Sequence, residues 1–334
     1  MKLSAAAFTE QGERLAEKIA EWMRRDNWDC TVTRVGRTGN CTLAQFTQTA
    51  FESSDALLFV SAVGIAVRAV APHLNSKASD PAVLSVDELG RFVIPLAGGH
   101  IGGGNRLAER IAEQIGATPV VTTATDINGV FAVDSWAVSQ KLVVMNPPAI
   151  KRVSSALLAG QSVSLFSAFP VSGELPAGVR FAKKEEADVV IDLFPPERKE
   201  MLFLVPKALA LGVGCRKGVS EQAVEAAVEQ VLSAHHLPVK AVCGVYSIDL
   251  KAEGPGLTSY CQKYGFPFQT FSAEQLTTLK GAFSASAFVS GVTGVDNVCE
   301  RSAVLGSGGT LLIEKQACHG VTVAAAACPV SLSF

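Results

Sequence analysis

Five glycines in seven positions surround a single histidine in Leu96-Ala97-Gly98-Gly99-His100-Ile101-Gly102-Gly103-Gly104-Asn105. No strand or helix holds such a run, because each glycine inside a regular element costs about 0.5–1 kcal/mol relative to alanine. The apolar run Phe92–Leu96 leads into it and a helical pattern begins at Asn105-Arg106-Leu107-Ala108, so the run is a strand-to-helix turn. In that place, glycines let the backbone approach a ligand just ahead of a helix N-terminus, whose N–H groups attract anions. The usual nucleotide explanations fail. No phase of the stretch gives G-x-G-x-x-G, and no Gly-Lys-Ser/Thr follows. The stretch reads as an anion-binding turn carrying a histidine.

A chain of 334 residues exceeds one ordinary domain, and 48% apolar against 18% charged residues leaves ample material for large cores. The net charge is −2, and no segment stands out as basic, which argues against a nucleic-acid partner. The eight cysteines (30, 41, 215, 243, 261, 299, 318, 328) contain no C-x-x-C pair and no zinc-like spacing with histidine. The apolar part of Met1–Phe8 is cut off by Thr9-Glu10-Gln11-Gly12-Glu13, too short for the core of a secretion signal. No apolar stretch approaches the roughly 20 residues of a membrane span. The expectation is a soluble, cytoplasmic protein with reduced thiols.

Short apolar runs alternate with helical patterns, which gives an α/β class: two Rossmann-like, doubly wound open-sheet domains joined by a small α/β middle region. The expected boundaries are 1–136, 137–205 and 206–334. In the first segment Lys2–Phe8 reads as a strand, and Gly12–Arg24 as a helix facing inward through Leu15, Ile19 and Trp22. Ala56–Val60 has the unbroken apolarity of a central parallel strand, and a helix from Gly64 to Ala71 stops near Pro72. Ala82–Val86 and Phe92–Leu96 flank a turn at Glu88-Leu89-Gly90. The glycine loop, a helix Asn105–Ile115 and a strand Thr118–Thr122 follow. In the middle, prolines at 147, 148, 170, 176, 195 and 196 punctuate the runs Ser162–Phe166 and Asp188–Leu193, a spacer with no obvious chemistry. The third segment restarts with a strand from Ala208 entering a second glycine turn. A helix capped by Ser220 runs to Ser233, and strands are expected at Val239–Tyr246, Leu311–Glu314 and Gly320–Ala325.

The second glycine turn spaces Gly212, Gly214 and Gly218 around Arg216-Lys217. It is either a tight turn with solvated charges or a carboxylate clamp. His100 is either a base or donor near neutral pH, or a structural histidine holding a loop carbonyl. His73 beside Pro72 reads as a cap, and His235-His236 as charges favoured at a helix end. Cys318 and His319 are adjacent on a strand and point to opposite faces, which disfavours a nucleophilic dyad. Ser61 is an N-cap or a ligand contact, and no G-x-S-x-G elbow accompanies any serine. Arg68 interrupts the apolar run Ile65-Ala66-Val67-Arg68-Ala69-Val70 and needs water, a partner or an anionic ligand. Glu253, Asp296 and Glu300 stand near helix starts, as acids or bases or as simple first-turn carboxylates.

Five stretches together resemble the cobalt-precorrin-5A hydrolase family of the anaerobic cobalamin pathway. They are Phe59–Arg68 (FVSAVGIAVR), Leu96–Asn105 (LAGGHIGGGN), Thr122–Asn128 (TTATDIN), Leu211–Gly218 (LGVGCRKG) and Gly294–Ala303 (GVDNVCERSA). One departure lies at Lys251–Leu257, where relatives tend to read Lys-x-x-Glu-x-Gly-Leu; here Gly254 takes the glutamate position and Glu253 precedes it. The resemblance implies hydrolytic opening of a ring-A acetate δ-lactone on a cobalt corrinoid, with loss of the C20 carbon and its methyl group as acetaldehyde. Cobalt arrives inside the substrate, so no cofactor and no protein metal site is expected. The expected catalytic residues are His100, Glu300 and Glu253. Ser61, Arg68, Gly98, Gly99, Gly102, Gly103, Gly104, Asn105, Gly214, Arg216 and Lys217 are expected to hold the many carboxylates of the macrocycle, in a cleft between the two α/β domains. The alternative is a non-catalytic corrinoid carrier. Further expected partners are other corrin-pathway enzymes or a homodimer mate, with no nucleic acid and no membrane.

Overall fold

A computed structural model describes residues 1–36, 41–76, 79–99, 102–252, 254–318 and 320–334. They fall into two compact units, residues 1–138 with 150–161 and residues 139–149 with 162–334. In the first unit β1 (Lys2–Ala7), β2 (Asp29–Arg34), β3 (Ala56–Val60), β4 (Ala82–Val86), β5 (Phe92–Ala97) and β6 (Thr118–Pro119) form one sheet in the order β2-β1-β3-β4-β5-β6. The pairs β1–β2, β1–β3 and β3–β4 are parallel, and β4–β5 is an antiparallel hairpin. Every residue of β3 is buried, as an all-apolar strand covered on both faces requires.

The cover comes from α1 (Glu10–Arg25), α2 (Leu43–Ser53), α3 (Val63–Val70) and α4 (Gly104–Ile115). Residues of α1 and α4 pack with Leu3, Ala5, Leu58 and Leu84 on one face of the sheet. Residues of α2 and α3 pack with Ala6, Leu57, Phe59 and Val83 on the other, the period-2 alternation of a strand. The inward stripe of α1 is Gly12, Ala16, Ile19, Ala20 and Met23, while Leu15 and Trp22 flank it. Small residues on that stripe let the helix lie close to the sheet. The last strand spans only Thr118–Pro119, shorter than the expected Thr118–Thr122, with Thr118 N–H donating to Arg91 O and Val120 N–H to Val93 O, each at 2.8 Å. Two short helices follow, α5 (Ala124–Ile127) and α6 (Val133–Ser139).

The middle region holds a sheet of its own. β7 (Leu142–Val144), the helix α7 (Pro148–Leu158), β8 (Val163–Ser167), β9 (Val171–Ser172), β10 (Val179–Phe181), β11 (Val189–Ile191) and β12 (Leu202–Pro206) succeed one another. All of these strands except β9 form a five-stranded sheet, β10-β8-β11-β12-β7. Next come β13 (Leu209–Cys215), α8 (Glu221–Ala234), β14 (Val242–Ile248), α9 (Pro255–Tyr264), β15 (Phe268–Phe271), α10 (Ala273–Thr277), α11 (Ala287–Thr293), α12 (Val298–Ser307), β16 (Thr310–Cys318) and β17 (Val321–Ala327). The third sheet runs β15-β14-β13-β17-β16, with β13, β14 and β15 parallel and β17 antiparallel to both neighbours. A final strand, β18 (Leu332–Ser333), pairs with β9. One core unites the two larger sheets of this unit, joining Val190, Phe203 and Val205 to Leu209, Leu211, Val228 and Tyr260. Among the described residues no helix is long and apolar enough to cross a membrane.

Candidate functional site

The glycine loop folds onto itself. Gly98 has φ +62, and a side chain there would stand 2.6 Å from the Pro81 carbonyl oxygen; one on Gly102 would stand 2.7 Å from the oxygen of Gly98. The reason for that crowding is a pair of backbone hydrogen bonds: Gly104 N–H donates to Gly98 O and Asn105 N–H to Gly99 O, each at 2.9 Å. Two of the four N–H groups that begin α4 are therefore spent inside the loop and are not offered to a ligand. The N–H groups of Gly102, Gly103 and Arg106 have no acceptor among the described residues. His100 lies outside the described residues, as do Glu253 and His319.

Asn105 is buried in the first turn of α4. Its side-chain nitrogen donates to Asp126 Oδ2 at 2.6 Å and to Thr123 Oγ1 at 2.9 Å. A single amide thus binds LAGGHIGGGN to TTATDIN. Thr123 and Asp126 were not among the residues expected to build the site; the one signal in the sequence was that both stretches share the same resemblance.

Ser61 and Arg68 stand elsewhere. Ser61 N–H donates to Val86 O at the end of β4, whereas Gly98 packs on Pro81 and Ala82 at its beginning. Because β5 runs antiparallel to its neighbour, the loop that follows it emerges at the opposite edge of the sheet from the carboxyl ends of β1, β3 and β4. The glycine loop and Ser61 are therefore not brought together. Nor does Ser61 cap α3: the capping position is Ala62, and Ser61 Oγ donates to the Ala62 carbonyl at 3.3 Å. Arg68 is exposed beside Val63, Ile65 and Val67, with no acidic partner among the described residues. Its Nη1 folds back to within 3.6 Å of the place a side chain on Gly64 would occupy, at the start of α3.

In the third sheet the carboxyl end of β13 presents Arg216 and Lys217, both exposed and unpaired among the described residues. Arg216 N–H donates to Gly320 O at 3.3 Å. Burial pushes the neighbouring Cys215 thiol up, and the Lys251 ammonium just beyond β14 offsets part of that rise. Lys251 thus joins Arg216 and Lys217 around one strand end, a third cation that the sequence reading did not assign. Gly212 and Gly214 are strand residues and not part of a turn. A side chain on Gly212 would meet the Cys299 carbonyl of α12 at 1.8 Å, and one on Gly214 would meet Thr322 Oγ1 at 2.6 Å. Their smallness admits α12 and β17 to the strand, so Gly214 serves packing.

Glu300 is engaged by the fold. It is 1% exposed, its Oε1 accepts the Lys315 N–H at 2.7 Å, and its Oε2 accepts the Ser284 N–H at 2.8 Å. Burial pushes its carboxyl up, but the donated N–H groups of Lys315 and Ser284 outweigh that and hold it below the usual carboxylate range. The carboxylate ties β16 and the chain ahead of α11 to α12. Asp296 is likewise occupied, by Arg301 at 2.7 and 3.2 Å.

The family description "Cobalamin synthesis G N-terminal" matches residues 45–126, and "Cobalamin synthesis G C-terminus" matches residues 209–326. The chain is 35% identical over 292 residues to the cobalt-precorrin-5A hydrolase of Salmonella typhimurium, covering 82% of each chain. It is 30% identical over 303 residues to the cobalt-precorrin-5A hydrolase of Priestia megaterium, covering 84% of this chain and 80% of that one. The chain belongs to the cobalt-precorrin-5A hydrolase family. A solved structure of a cobalamin biosynthesis protein G homolog from Sulfolobus solfataricus is similar to it at 21% identity and a TM-score of 0.44, over 98% of this chain and 97% of that one. Within the family's N-terminal match lie the glycine loop and the Asn105–Asp126 bond; Arg216, Lys217, Lys251 and Glu300 lie within the C-terminal match.

Proposed function

We infer that this chain hydrolyses cobalt-precorrin-5A in cobalamin biosynthesis, opening the ring-A δ-lactone and releasing acetaldehyde as cobalt-precorrin-5B forms. The single observation that carries the reading into the site is the group of three cations around the end of β13, without acidic partners among the described residues. A macrocycle bearing many carboxylates needs such charge, and guanidinium and ammonium groups answer it with charge-assisted hydrogen bonds. Cobalt travels as part of the substrate. The reading includes a cytoplasmic location, which suits a chain with eight free cysteines.

In the proposed mechanism His100 takes a proton from water, and the resulting hydroxide adds to the lactone carbonyl. The oxyanion that forms is stabilised by loop N–H groups, of which Gly102, Gly103 and Arg106 are the candidates left by the internal bonds of the turn. Collapse of the intermediate breaks the ring C–O bond and leaves a carboxylate and an alcohol. Removal of the alcohol proton then accompanies carbon–carbon cleavage: the alkoxide oxygen becomes the carbonyl of the departing acetaldehyde, and the electron pair of the broken bond stays with the macrocycle. Of the two glutamates expected for that step, Glu300 has both oxygens engaged by backbone N–H groups, so the step is assigned to Glu253.

Incubation with cobalt-precorrin-5A tests the reading, with acetaldehyde and lactone loss as readouts. The wild-type chain is expected to produce both, and His100→Ala to lose most of the rate. Tight corrinoid binding with no acetaldehyde would instead identify a carrier. Near-normal release from His100→Ala would remove that residue from the mechanism.

A further inference from the structure

At the other end of β13 from Arg216, two cysteines that the proposed reaction does not use face each other. Cys243 sits in β14 where its ladder to β13 shifts register between Leu209 and Ala210, an irregularity that re-aims side chains. Cys328 follows β17, fixed by its N–H donating to Ala208 O at 2.8 Å. The two strands lie on either side of β13, yet the sulfur atoms are 3.4 Å apart. Both residues are half-buried, so a small reagent has access to them.

We propose that Cys243 and Cys328 form an oxidisable dithiol, a modification site that a low-molecular-weight disulfide such as oxidised glutathione closes into an intramolecular disulfide. Bond formation brings the sulfurs roughly 1.4 Å closer, from the contact observed to the length of an S–S bond. The order of attack follows from the hydrogen bond between them. Either sulfur can donate in the contact between them; with the Cys243 thiol as donor, the Cys328 thiol is held down and the Cys243 thiol is pushed up. Cys328 is therefore the attacking thiolate. It breaks the glutathione disulfide, releases one glutathione thiolate that takes up a proton, and carries the other glutathione as a mixed disulfide. With the charge on Cys328 gone, Cys243 gives up its proton to solvent and attacks the Cys328 sulfur, expelling the second glutathione. Two protein thiols are oxidised, and one glutathione disulfide is reduced to two thiols.

The test uses the reduced, full-length chain incubated anaerobically with oxidised glutathione. Thiols titrated after denaturation should fall by two from the original eight, the intact mass should drop by two hydrogens, and a peptide map should join Cys243 to Cys328. Dithiothreitol should reverse all three changes. Cys243→Ser should stop at a stable glutathione adduct on Cys328, and Cys328→Ser should show no crosslink. The peptide map of the wild-type chain decides the matter whether or not the variants fold. Eight free thiols after incubation, a persistent glutathione adduct on the wild-type chain, or a crosslink between any other cysteines would overturn the proposal.

Discussion

The Asn105 side-chain amide donates to the Asp126 carboxylate at 2.6 Å, and this bond fastens the glycine loop to the segment beyond β6. Replacement by alanine removes that donor from a buried position, at an expected cost of about 1–3 kcal/mol. Asn105→Asp should be worse, because it sets two carboxylates against each other and raises the pKa of one of them. Urea unfolding gives the stability loss, and acetaldehyde release at saturating substrate gives the rate. Equal stability of the wild-type and alanine chains would show that the loop is held by its backbone bonds alone.

Two glycines of the loop share a left-handed backbone but not their surroundings. Gly103 has φ +74 with nothing within 4 Å of an added side chain, whereas Gly98 has φ +62 and the Pro81 carbonyl in the way. Gly103→Ala should therefore cost about 1–2 kcal/mol, the ordinary penalty of left-handed backbone for a residue with a Cβ. Gly98→Ala should cost clearly more, since the carbonyl and the start of β4 must also move. Denaturation midpoints of the two variants rank them, and the reverse order would contradict the packing of the turn.

What the sequence discloses about this fold divides by distance along the chain. The all-apolar β3 and the Ser220 cap of α8, which accepts the Ala223 N–H, are local and were legible. The hairpin turn at Glu88-Leu89-Gly90 was legible too, but its consequence was not: reversing β5 carries the glycine loop to the edge of the sheet away from Ser61. Gly212 looked like part of a glycine turn because the helix that crowds it, α12, comes much later in the chain. Lys251 was visible as a charge. Its place beside Cys215 depends on two parallel strands ending together, which no local pattern encodes.

Glu300 shows the same limit and yields a pH prediction. A glutamate in the first turn of a helix suits either acid–base work or the helix dipole, and its partners Ser284 and Lys315 become apparent only in the folded chain. Its folded-state pKa is depressed, so the stability it contributes is present above the unfolded value near 4.3 and is lost as pH falls through the folded value. Glu300→Gln should lower stability by about 1–3 kcal/mol at neutral pH, and the gap to the wild-type chain should narrow in acid. Acetaldehyde release per folded molecule should remain close to wild type. A gap that does not change between pH 7 and 3, or a collapse of kcat in the folded variant, would contradict the structural role.

Arg216, Lys217 and Lys251 carry the last prediction, because they separate substrate holding from chemistry. If each meets a substrate carboxylate before and during the reaction, removal costs ground state and transition state alike, and KM rises while kcat stays. A charge-assisted hydrogen bond at a partly exposed site corresponds to roughly a tenfold rise in KM for each alanine variant. The effect should fade as salt rises past about 0.15 M, where exposed charges are screened beyond roughly 8 Å. Arg216→Lys should recover part of the loss, keeping the charge but not the planar fork. Lys251→Ala has a second readout that needs no corrinoid. The Lys251 ammonium holds down the Cys215 thiol, so alkylation of Cys215 at fixed pH should slow in that variant, since only the thiolate reacts. Slower alkylation with an unchanged KM would keep Lys251 beside Cys215 while removing it from substrate recognition. A fall in kcat with KM unchanged would move the cations from holding the substrate to stabilising its transition state.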